Sequence, residues 1–393
     1  MKIKNKYFYI TILVFITAAL AIFSLLPTYV EKSRNRVLPS TNIEVSNETK
    51  TLHQSLFIAD LHSDCLLWNR NLAKKSNYGH VDIPRLIEGN IGLQVFSVVT
   101  KTPKNLNLIR NSDDTDNITL LSIAQLWPKR TWSSLFERAN YQAQKLHRIA
   151  DDSADNFYII KNKQDFNRYI QRRKDNPKIT AGLLSLEGAH ALERKLENLD
   201  RLYAAGFRII GFTHFFDNAL GGSAHGIKKG GITEFGKQVL KRMDELKMFI
   251  DISHSSPALI EDIFTLSERP ILATHTGVEA ICHSKSKRNL TDTQIKQVAA
   301  SGGIIGIGFW PTVTCDKSII GIVRSIRYVT DLVGEDYVGL GSDFDGNVLV
   351  PFTSSNIELL TYALIKAGFS KQQIQKIMGG NIQKLFAEYL PSD

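Results

Sequence analysis

Cysteine is scarce: the 393-residue chain holds three, Cys65, Cys282 and Cys315. Three thiols spread over that length do not make a disulfide framework, and they supply no thiolate cluster for a metal. Cys65 reads as a small buried residue. No internal repeat or low-complexity tract is present, which excludes a solenoid or a repeat array. Excess charge is also missing from most of the chain. The formal net charge of +9 looks basic, but residues 1–36 carry six basic groups against one acidic, and the other 357 carry 42 against 38. That balance gives no footprint for a nucleic-acid partner.

The basic excess belongs to an N-terminal segment. After Lys2, Lys4 and Lys6, the run from Tyr7 to Leu26 carries no charge and is closed by Pro27. Such a run is long enough to cross a bilayer core of about 30 Å at about 1.5 Å per residue. Lysines in front of it favour a cytoplasmic N-terminus and an outward-facing remainder. A cleaved signal peptide, with Ala19-Leu20-Ala21 as its site, is the alternative, but that site falls inside the apolar run. Residues 1–30 are therefore expected to be a membrane anchor or signal segment, 31–51 a polar tether, and 52–393 one globular domain.

In that domain, 43% hydrophobic content allows a sizeable core. Near-continuous apolar runs recur at 57–61, 91–99, 179–186, 207–213, 248–253, 270–274, 303–309 and 337–342, as parallel strands buried on both faces require. Helical segments lie between them. Phe235, Val239, Met243 and Leu246 form one stripe over 234–246, Ser255 and Ser256 precede Pro257 at the start of 257–267, and Thr291 with Gln294 resembles a capping box over 291–300. Further helices are expected over 357–367, 371–378 and 381–389. The stretch 101–178 exceeds one crossover and reads as a helical excursion whose main helix is 133–150. Eight such strands predict an α/β fold, a (β/α)8 TIM-type barrel. An open doubly wound sheet would normally carry a glycine-rich phosphate turn after its first strand, where this chain has His62 and Asp64.

The strand ends repeat one chemistry. The first ends in His62 and Asp64, the third in Glu187, the fourth in His214, the fifth in His254, the sixth in His275 and the eighth in Asp343. In a barrel these ends converge on one mouth. Imidazoles with carboxylates suit zinc or a similar divalent ion in a hydrolytic site. There are more donors than one tetrahedral ion can use, so two ions sharing a carboxylate, about 3.5–4 Å apart, fit better.

The segments Asp60-Leu61-His62-Ser63-Asp64, Leu186-Glu187-Gly188-Ala189-His190, Ile250-Asp251-Ile252-Ser253-His254, Ala273-Thr274-His275, Arg288-Asn289-Leu290-Thr291-Asp292 and Gly341-Ser342-Asp343-Phe344-Asp345-Gly346 resemble, in order and spacing, those of the membrane dipeptidase (renal dipeptidase) family of zinc peptidases. The likeness covers about 52–390. It implies a barrel with two Zn2+ ions that hydrolyses dipeptides through a metal-bridging hydroxide. His62 and Asp64 would bind one ion, His254 and His275 the other, and Glu187 would bridge them. His214 would contact the substrate carbonyl, Arg288 would grip the free carboxylate, and Asp343 would carry the proton from water to the leaving amine. Relatives are often dimers. Ala-Thr-His-Thr-Gly around His275 departs from the Ser-His-Ser-Asn common in bacterial relatives, which bears on substrate preference. His80, His190 and His225 are assigned supporting or loop roles, and Asp345 a turn with Gly346.

The leading expectation is thus an extracytoplasmic, membrane-anchored zinc dipeptidase. A related amide hydrolase acting on N-acyl amino acids or β-lactam-like amides is the second reading. A non-catalytic binding protein on the same barrel is the third.

Overall fold

Apolar runs without alternation must be covered on both sides, and the chain meets that demand by closing a sheet on itself. The computed structural model describes residues 2–39, 43–153, 155–283 and 285–392. Eight parallel strands form the barrel: β1 Ile58–Ser63, β2 Ile91–Val99, β3 Thr180–Glu187, β4 Phe207–Gly211, β5 Phe249–Asp251, β6 Ile271–Thr276, β7 Ile305–Ile307 and β8 Val338–Leu340. Each pairs with the next, and Leu340 opposite Asp60 closes the circle. Every residue of β1, β2, β3 and β6 is buried. The expected strands are all present, most of them offset by a few residues.

Register decides where the chemistry goes. Val99 pairs with Glu187, Glu187 with Gly211, and Gly211 with Asp251. These strand ends therefore stand at one level, so whatever follows them meets at one rim. Outer helices start where their caps predict. Ser256 accepts from the Leu259 amide at 3.1 Å ahead of the helix Pro257–Leu266. Thr291 and Gln294 form the reciprocal capping box of Asp292–Ala300. The excursion after β2 contains the helices Ile118–Ala124, Leu135–Asp152 and Lys163–Asp175. It also holds the short strand Phe157–Ile159, which extends the sheet beside the start of β3.

Two features were not foreseen. Cys282 and Cys315 form a disulfide, so the expectation of no disulfide framework is corrected to a single staple. Their 33-residue separation says nothing about pairing. They meet because the loop after β6 folds against the turn Pro311–Thr314, where the Asn289 side chain also donates to the Val313 carbonyl. Cys65 is buried and free, as expected.

The second is the packing of the end of the N-terminal helix α1, Lys2–Arg34, against the domain; the helix contains the run 7–26. Side chains at 2–6, 8, 15, 16, 18–22 and 24 lie outside the described residues. Among the described residues no helix is long and apolar enough to cross a membrane. Within the stretch 31–51, Glu31 and Asn35 are buried. Arg36–Val37 pairs in parallel with Leu349–Val350, and Asn47–Ser55 is helical. The Arg70 guanidinium donates to both Glu31 and Asp345. Burial lifts the Glu31 carboxyl to about 7 against the pull of that guanidinium.

Candidate metal centre

Each predicted site residue sits at the rim. His62 and His275 lie within β1 and β6, Glu187 ends β3, and Asp64 follows β1 directly. His214, His254 and Asp343 each stand three residues beyond the ends of β4, β5 and β8. His254 (φ +64°) and Asp343 (φ +59°) are left-handed. Few side-chain-bearing residues adopt this conformation. Gly188 (φ +88°) turns the chain directly behind Glu187, where an added Cβ would lie 2.4 Å from the His190 ring.

The Glu187 carboxylate is the hub. Its Oε1 lies 3.1 Å from His254 Nε2, 3.3 Å from His275 Nε2 and 3.8 Å from His62 Nε2. His62 Nε2 is also 3.4 Å from Asp64 Oδ1. Three overlapping groups have donor atoms close enough for one ion: His62–Asp64–Glu187, Glu187–His254–His275 and His62–His275–Asp343. The first two share Glu187, as the sequence led us to expect. Asp343 joins the third through an Oδ1 3.9 Å from His62 Nε2.

A single hydroxyl orients two of the imidazoles. Thr274 Oγ1 donates to Asp251 Oδ2 at 2.7 Å. With its proton so used, it accepts from His62 Nδ1 at 3.2 Å and His275 Nδ1 at 3.0 Å. Both rings then carry a proton on Nδ1 and turn Nε2 towards Glu187. Thr274 and Asp251 were not singled out as functional, although Thr274 stands inside the departure noted around His275. Their signal is adjacency to ligands, which only the folded geometry turns into hydrogen bonds.

Electrostatics fit a cation. Burial and the nearby Asp64 carboxylate hold both Glu187 and Asp343 well above the usual carboxylate range. Burial, aided by neighbouring positive groups, pushes His214, His254 and His275 well down, keeping them neutral. His62 differs. Burial lowers its pKa, but Glu187, Asp64 and Asp343 outweigh that and lift it to about 10. Among the described residues, His62 Nε2, Asp64 Oδ1 and Glu187 Oε2 are buried without hydrogen-bond partners. Buried carboxylates with unpartnered donor atoms are costly unless a positive charge sits among them. A divalent ion held by nitrogen and oxygen meets that need.

The remaining predicted residues are close by. His214 Nε2 is 3.5 Å from Glu187 Oε2, and its buried Nδ1 has no partner among the described residues. Arg288 is buried, donates to the His275 carbonyl at 2.5 Å and reaches within 3.5 Å of His254 Nε2. The other histidines are structural or supportive. His80 Nδ1 accepts from the Asp345 amide, while the Asp345 carboxylate takes the His80 and Val81 amides, so this pair ties a loop rather than binding an ion. His190 contacts Thr100, and His225 packs its ring 5.1 Å from that of His254. A cavity of about 910 Å3 opens beside Asp64, Glu187, His214, His254 and Asp343.

The chain is similar to several known proteins. The dipeptidase aclJ of Aspergillus oryzae is 25% identical over 353 residues, covering 84% of this chain and 78% of that protein. An uncharacterised protein from the pqqA 5′ region of Klebsiella pneumoniae is 31% identical over 227 residues, 54% of this chain and 83% of its own length. A metallopeptidase from Rhodobacter sphaeroides, solved with a phosphinate mimic of L-Ala-D-Ala, superposes with a TM-score of 0.70 at 23% identity. That match covers 85% of this chain and 99% of the other, a likeness that speaks for the barrel. Residues 46–390 match the family described as membrane dipeptidase (peptidase family M19), so the chain belongs to that family and is a dipeptidase of the metallopeptidase class.

Proposed function

We propose that the protein is a binuclear zinc dipeptidase working outside the cytoplasmic membrane. One observation carries the reading: a single carboxylate, Glu187, stands between two donor groups, His62 with Asp64 and His254 with His275. His62 and Asp64 would hold one ion, His254 and His275 the other, and Glu187 both. Two such ions lower the pKa of a water and polarise a carbonyl. The chain's own groups do the rest. Arg288 offers a planar fork to the substrate's free carboxylate, which limits substrates to those ending next to the cleaved bond. His214, kept neutral by burial and facing Glu187 Oε2 through Nε2 at 3.5 Å, would donate to the carbonyl oxygen as charge develops there. Asp343, held protonatable by burial and Asp64, passes a proton to the departing amine.

The outward location rests on the uncharged run 7–26 behind three lysines. The Cys282–Cys315 bond supports it, because disulfides persist in oxidising compartments.

Metal analysis with a substrate panel tests the function. We expect about two zinc ions per chain, loss of dipeptide hydrolysis on chelation, its return with zinc, and poor turnover of C-terminally amidated dipeptides. Full activity in a metal-free preparation would refute the proposal. Turnover of N-acyl amino acids in preference to dipeptides would favour the amide-hydrolase reading. A second expectation concerns Thr274→Val, which keeps the shape but removes the shared hydroxyl. Loss of such an orienting partner typically costs about 10–100-fold in metal affinity. Chelator competition should find both ions weakened, whereas weakening of one alone would contradict the shared role.

A further inference from the structure

The cavity beside the metal centre is larger than a dipeptide needs. At about 910 Å3 it lies near the top of the range, about 300–1,000 Å3, that encloses drug-sized ligands. It extends from the carboxylates towards the loops after β1 and β2, where Leu67, Trp68 and Leu121 line it. Its far wall is not part of the barrel. Leu26, Pro27 and Val30 of α1 form it, and Val30 packs on the cluster that contains Leu67 and Trp68. The family match spans residues 46–390, so the wall residues lie outside the matched segment.

Several contacts hold α1 there. Glu31 and Asp345 share the Arg70 guanidinium, all three buried. The Asn347 amide donates to the Asn35 side chain at 2.8 Å. The Arg36 amide donates to the Val348 carbonyl at 3.0 Å, and the Leu38 amide to Val350 at 2.9 Å. These bonds tie the end of α1 to the segment that follows Asp343, so the wall is fixed relative to the site.

Orientation of the substrate follows from where the charges lie. Arg288 sits in the loop after β6, and the apolar wall adjoins the loops after β1 and β2, on the other side of the rim. A dipeptide with its carboxylate on Arg288 and its scissile bond at Glu187 directs its N-terminal residue at the wall. We propose that the C-terminal turns of α1, through Leu26 and Val30, are a specificity-determining wall that selects dipeptides with a large apolar N-terminal residue. This rests on the dipeptidase function proposed above.

The test compares Leu-Ala with Gly-Ala on the full zinc-loaded chain, as wild type and as Val30→Ser. Apolar contacts of this size discriminate by about tenfold or more. The wild type should favour Leu-Ala by at least about that factor, and Val30→Ser should cut the preference severalfold, chiefly through KM for Leu-Ala. Should the serine variant fold poorly in a thermal melt, Val30→Ala is expected to move the ratio in the same direction. Calorimetric Kd values for phosphinate mimics of the two dipeptides give a readout free of turnover, and their ratio should fall likewise. An unchanged ratio in folded variants overturns the wall while leaving the dipeptidase intact. No hydrolysis of either dipeptide by the wild type overturns both.

Discussion

Glu187→Gln is expected to abolish dipeptide hydrolysis and to weaken both metal ions together. The substitution keeps the side chain's shape and removes its charge, which lies within 3.1–3.8 Å of three imidazole nitrogens. Taking one partner from a buried charged cluster costs about 3–5 kcal/mol, and each 1.4 kcal/mol is about tenfold. Ion affinity should therefore fall by about 10² to several times 10³, with activity following. His62→Ala makes the contrast, because it should chiefly weaken the ion held with Asp64. Metal content by mass spectrometry, read with the circular dichroism of each variant, measures this. Equal loss of both ions in His62→Ala would contradict the division of ligands. The overlapping group His62–His275–Asp343 would then be the better description.

Asp343→Asn should leave both ions in place and lower kcat by about 10²–10⁴, the usual worth of a general acid or base. KM should change little, since the proton moves only in the transition state. The prediction is sharp because Asp343 has two chemically different fates. Its Oδ1 is 3.9 Å from His62 Nε2, close enough to join an ion. Yet its pKa is raised by burial and by Asp64, which suits a group that takes up and releases a proton. Loss of an ion alongside activity would make Asp343 a ligand and remove it from proton transfer.

Much of the site was legible beforehand because a parallel barrel ties position in sequence to position in space. A strand's apolar run is continuous, so its end is visible, and residues such as His62, Glu187 and His275 stand at those ends. Caps were legible for a similar local reason: Thr291 and Gln294 are three residues apart and need no distant partner. The helix Ile319–Val333 was not singled out, although Asp316, Lys317 and the cap Ser318 set it apart from the strand before it.

Local pattern by itself determined the eight strands, the capped helix starts at Pro257 and Asp292 and the titratable groups at the strand ends, because backbone geometry makes each depend on residues a few positions apart. Only the tertiary structure decided which groups share an atom. Glu187 stands between ligands that lie up to 125 residues away in the chain. Thr274 orients His62 across 212 residues, Cys282 finds Cys315, and Glu31 reaches Arg70 to seat α1 beside the cleft. These contacts are made through space, at distances of a few ångströms that no periodicity encodes, and they depend on the register of strands closing around the barrel.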